Sequence, residues 1–149
     1  LFGLAATPVF YALDLTDAFV FFGMRSGTTP IRVCQSIASG LLGRSAYTDG
    51  WSAVLLGVAI HFFIATSIVA AILIAARALP TVATLVKHPW ITGPIYGVGV
   101  YLFMNLVVMR LAFGTTALPV EAVLINGVLI HMFGVGLPAV LAARAAQRG

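Results

Sequence analysis

Charge is what this chain has least of. Only 8% of its 149 residues are Asp, Glu, Lys or Arg, whereas about a quarter are charged in an ordinary soluble domain. That is too few to cover the outside of a globule of this size, so a lipid bilayer is expected as its outer solvent. Cysteine is nearly absent as well: the single Cys34 excludes an internal disulfide and any CxxC redox or zinc motif. There is no GxSxG, no HExxH and no phosphate-cradling glycine loop, so hydrolase, zincin and nucleotide-driven readings lose support. A non-enzymatic role is the expectation. The eight basic residues stand singly, so the net charge of +4 reads as membrane topology rather than as a nucleic-acid footprint.

What the chain does have is apolar length. Hydrophobic residues make up 61% of it and the mean hydropathy is +1.09. Residues 1–23, 52–77, 91–113 and 119–142 each reach the roughly 20 residues that a helix needs to cross about 30 Å of hydrocarbon. Punctuation falls between them: Gly23 to Gly27, Pro80, Gly114-Thr115-Thr116 and Pro119. Trp51 and Trp90 stand at the starts of the second and third spans, where amphipathic rings favour the headgroup layer. The expected fold is all-α, an integral membrane four-helix bundle forming one domain over residues 1–149. Because the chain opens at Leu1 without a methionine, a preceding N-terminal piece is expected.

The connection between the first two spans carries its own periodicity. Thr29-Pro30 reads as a helix start, and over residues 30–42 Ile31, Cys34, Ile37, Ala38, Leu41 and Leu42 share one face. Arg32, Gln35, Ser36 and Ser39 share the other. A short amphipathic helix at the membrane interface is expected here, with a re-entrant, site-covering placement as the alternative. Cys34 reads as an apolar filler on it.

Polar residues inside the spans are few, and their depths agree. With the termini on side A, and depth measured from side B at about 1.5 Å per residue, Asp14 and His61 lie roughly 14 Å in, Asn105 roughly 13 Å and His131 roughly 18 Å. Asp17 lies about one turn nearer side B, within reach of Arg25. Residues four apart share a helix face, which aligns Asn105 with Gly93, Gly97 and Tyr101, His131 with Gly127 and Gly134, and His61 with Gly57. Small residues mark close helix approach, so Gly57, Gly93, Gly97, Gly127 and Gly134 are expected to pack between helices and to turn the polar groups inward. An unpaired carboxylate is costly away from water, so Asp14 is expected to pair with one or both histidines.

Two readings of this group stand side by side. An Asp–His–Asn network can simply lock helix packing, at about 0.6 to 2 kcal/mol per bond. Ionisable groups gathered at one depth are also functional candidates by default. On that second reading Asp14, His61, Asn105, His131, Tyr101 and Asp17 form a site for a small ligand or for protons. His61 and His131 alone admit a haem b or metal anchor as an alternative. Glycine stripes docking on other membrane subunits would make the chain an accessory or assembly subunit. Outside the cluster, His88 reads as interfacial, Glu121 complements a helix dipole, and Arg110 snorkels or faces Glu121.

Four blocks, "RVCQSIASGLLG", "HFFIA", "GPIYGVGVYLFMN" and "HMFGVGLP", together resemble those of a family of small four-helix bacterial inner-membrane proteins of uncharacterised function. The resemblance implies a bacterial inner membrane and a self-contained four-helix unit, and it implies no activity. Basic residues are balanced between the sides, with Arg77, Lys87, Arg144 and Arg148 on A against Arg25, Arg32, Arg44 and Arg110 on B. Two of the B arginines, Arg32 and Arg44, lie on or just after the amphipathic helix, so cytoplasmic termini are the expected orientation.

Overall fold

In the computed structural model, residues 7–114 and 121–148 are described, with side chains from residue 11 onward. The start of the first span, the face of Thr7, Thr115-Thr116 and Pro119 lie outside them. Helices α1 (Thr7–Ser26), α2 (Pro30–Leu42), α3 (Gly50–Ala78) and α4 (Pro80–Leu85) come first. They are followed by α5 (Pro89–Phe113) and α6 (Glu121–Ala146). No strand occurs among the described residues. A one-turn 3₁₀ segment, Gly43–Tyr47, joins α2 to α3.

Local chemistry sets the boundaries. Pro30 opens α2 behind Thr29, whose hydroxyl accepts from the Arg32 N–H at 3.3 Å. Gly43 ends that helix at φ 63°, and Gly114 ends α5 in the left-handed conformation at φ 66°, where a Cβ would be strained. Among the described residues, three helices are long and apolar enough to cross a membrane: α3, α5 and α6. The first helix, with Asp14, Asp17 and Arg25 among its 20 residues, is less apolar and is not one of those three.

The three long helices meet in a core of small side chains. Ala65, Val69, Ile72 and Ala76 of α3, Val100 of α5 and Val135, Ala139, Val140 and Ala143 of α6 are all buried there. α5 lies on α6 backbone to backbone. A Cβ on Gly97 would run into the His131 carbonyl, and one on Gly136 into the Gly93 carbonyl. Tyr96 ties α5 to α3 through a 2.6 Å bond from its hydroxyl to the Ile68 carbonyl.

Two interruptions break the regular turn of the long helices. A π-turn at Met104–Val108 interrupts α5 and another at His131–Gly136 interrupts α6. Each fits an extra residue into its turn and shifts the helix faces beyond it. Gly136, absent from the predicted glycine line on α6, faces Gly93 and Gly97, while a Cβ on the buried Gly134 would meet the Ile130 side chain of its own helix and lie 3.9 Å from Leu13 Cβ of α1. Gly127 meets the Tyr101 ring, and Gly57 meets the Cys34 carbonyl.

The helix α2 buries a different face from the one its apolar periodicity predicts. Val33, Cys34, Gln35, Ala38 and Ser39 are turned in, against α3, whereas Ile31, Leu41 and Leu42 are exposed. Two of its four polar residues, Gln35 at 7% and Ser39 at 8% exposure, lie among protein rather than toward water.

Candidate functional site

Residues of α1, α2, α3, α5 and α6 line a cavity of about 660 Å³. Its polar end is built by three different helices: Asp14 from α1, His61 from α3 and His131 from α6. Aliphatic side chains line most of the rest, together with Phe63, Phe113, Met104 and Met109. Ser36 and Ser39 of α2, with Tyr47 beyond it, form a further wall.

Asp14 and His61 approach without bonding well. Their Oδ2 and Nε2 atoms are 3.5 Å apart, and the two side chains are 21% and 14% exposed. Among the described residues this is the one acid–base contact of salt-bridge length. It fails hydrogen-bond geometry, so His61 Nε2 is a buried nitrogen with no bonded partner. The Tyr11 ring lies against the imidazole at 5.1 Å between centroids. No Lys or Arg lines the cavity among the described residues.

His131 is held differently. Its Nδ1 lies 2.8 Å from the Gly127 carbonyl oxygen, one turn back on its own helix. A carbonyl can only accept, so Nδ1 carries the proton and, in the neutral ring, Nε2 keeps a free lone pair. The Tyr101 ring packs edge-on to this imidazole at 5.3 Å between centroids, and its hydroxyl is buried without a bonded partner.

Three of the predicted site residues therefore share one cavity, and three do not line it. Asn105 departs for a local reason: at the π-turn its Nδ2 donates to the Tyr101 carbonyl at 2.9 Å, which ties the amide to its own helix. Asp17 accepts from Asn126 Nδ2 at 2.8 Å, so its partner is an amide on α6 rather than Arg25, although Arg25 lines the same shallow cleft. Tyr101 supports His131 from behind. Sequence reasoning missed Asn126, Ser36, Ser39 and Tyr47. Asn126 carried a usable signal, since an amide in an apolar span is costly to leave unpaired.

The haem or metal alternative gains little from this geometry. No group of three His, Cys, Asp or Glu stands together among the described residues as a metal centre would need. The His61 nitrogen that would bind iron is also the one that faces Asp14. Comparison with protein families, with curated proteins and with solved structures finds no match to this chain.

Proposed function

We propose that this chain is a multi-pass membrane protein that binds a small, largely apolar molecule in its cavity and holds that molecule's polar group at Asp14, His61 and His131. In this reading α1 is the fourth span of a four-helix bundle, its two carboxylates turned toward α3 and α6 rather than toward lipid. α2 lies along the bundle at the membrane interface and covers the cavity. Its exposed Ile31, Leu41 and Leu42 then meet lipid, while Gln35 and Ser39 meet protein. Placement in a bacterial inner membrane, with cytoplasmic termini, follows the resemblance and the arginines on and just after α2, Arg32 and Arg44.

One observation carries the binding reading: groups from three helices converge on a space that the surrounding side chains leave unfilled. A network that only locked packing would bond its members to one another, yet His61 Nε2 has no bonded partner. The glycine line that an accessory subunit would offer to a partner is occupied inside the chain, by α5 against α6.

The test is saturable binding. The purified chain in phosphatidylcholine nanodiscs is titrated with the neutral lipophilic fluorophore N-phenyl-1-naphthylamine, with empty nanodiscs subtracted. A saturable excess, lost when Ile64→Trp fills the cavity, is the expected result. Equal signal from wild type and Ile64→Trp would end the reading.

A further inference from the structure

Resting on that reading, we infer that the occupant is an amphiphilic amine, whose protonated nitrogen sits at Asp14 and His131 while its apolar body fills the cavity.

The argument runs through the charges and donors that the walls supply. Asp14 brings a carboxylate to the cavity, and no Lys or Arg of the lining answers it. An ionised carboxylate among apolar walls is stable only when matched by a positive charge or by several donors. His61 is the one ionisable neighbour in salt-bridge range, and its approach fails hydrogen-bond geometry. The second polar group, His131, has its donor committed to Gly127 and presents an acceptor from Nε2. The polar end is therefore rich in acceptors. A ligand carboxylate or phosphate would meet repulsion there, whereas an ammonium N–H meets a carboxylate and an imidazole lone pair.

The walls suit the rest of such a molecule. Phe63 and Phe113 add aromatic rings, which can attract a cation as well as an apolar body. Met104 and Met109 add polarizable, adaptable surface. The volume of about 660 Å³ is in the range of small-molecule sites.

The experiment compares two probes that differ at one atom. N,N-dimethyl-4-phenylbutylamine and its hydrocarbon isostere, with carbon in place of nitrogen, each compete with N-phenyl-1-naphthylamine for the full chain in phosphatidylcholine nanodiscs, free concentrations being corrected by empty discs. The amine is expected to compete about tenfold or more better than the isostere, as one charge-assisted hydrogen bond predicts. Asp14→Asn should bring the two within about threefold of each other. In case Asp14→Asn does not fold, Ser36→Lys offers a second route: it places an internal cation in the cavity wall and should also erase the amine's advantage. An isostere that competes as well as the amine overturns the inference and leaves the binding site standing. So does an advantage that survives both substitutions. Absence of any saturable fluorophore binding, unaffected by Ile64→Trp, removes the site and this inference together.

Discussion

The same three long helices are built two ways along their length. In the half toward the chain's C-terminus, α3, α5 and α6 touch through glycine, alanine and valine, and Val69, Ala139 and Val140 have no solvent exposure. In the other half the helices carry Phe63, Met104 and Phe113, which line a cavity together with an acid and two histidines. Small residues let backbones close on one another and leave no room for a ligand. Larger side chains do not permit that approach. Close packing and open space are thus divided along the helices, and His131 belongs to both: its carbonyl meets Gly97 and its side chain lines the cavity.

The sharpest way to break this contrast is to force the tight half open. Gly97→Val puts a branched side chain into the carbonyl of His131 and the Cα of Met132, backbone atoms that cannot swing aside. A loss of about 3 kcal/mol or more, or failure to recover monodisperse protein, is the expected outcome, read from detergent unfolding followed by circular dichroism. Wild-type stability in this variant would mean that α5 and α6 do not meet at this line.

A smaller effect is expected where α2 covers the cavity. Gly57→Val collides with the Cys34 carbonyl and should lift α2 from α3 while the core of α3, α5 and α6 survives. Cys34 reports the movement. It is 4% exposed, and burial pushes its thiol pKa up, so in the wild type it should react slowly with a maleimide. Labelling about tenfold faster in Gly57→Val, with unfolding changed by only about 1 to 2 kcal/mol, would show α2 as a separable cover. Unchanged labelling would show that α2 does not depend on Gly57 for its seat.

Much of the contrast was legible in the sequence, and the remainder was hidden for definite reasons. Length and apolar composition gave the helices, and Gly57, Gly93 and Gly97 gave close approaches, because Cβ absence is read directly from residue type. Depth at a fixed rise per residue brought Asp14, His61 and His131 to one level. Within the π-turns a period of 3.6 no longer holds, which is why the contact of Gly136 with α5 was not foreseen and Asn105, expected in the cluster, instead bonds its own helix. The buried face of α2 was misread for a different reason. Amphipathicity points a polar face to water, but beside a bilayer the apolar residues can face lipid and the polar ones protein.

The polar pairing of α1 with α6 gives a third test. Asn126→Ala leaves the Asp17 carboxylate without its 2.8 Å donor, and a loss of about 1 kcal/mol is expected in the same unfolding assay. No loss would mean that Asp17 is satisfied by water in its cleft beside Arg25.

The smallest effect decides what holds the tight half together. Tyr96→Phe removes the hydroxyl that donates to the Ile68 carbonyl at 2.6 Å and keeps the ring that packs on the core. The carbonyl it leaves behind belongs to α3, where the helix's own N–H ladder already satisfies it. A cost of only about 0.6 kcal/mol is therefore expected, the average worth of such a bond between membrane helices. Set against Gly97→Val, that figure assigns the closure of this half to backbone contact and treats the hydrogen bond as a supplement. A loss from Tyr96→Phe as large as that from Gly97→Val would reverse the assignment, since a polar clamp rather than close packing would then be holding α5 to α3.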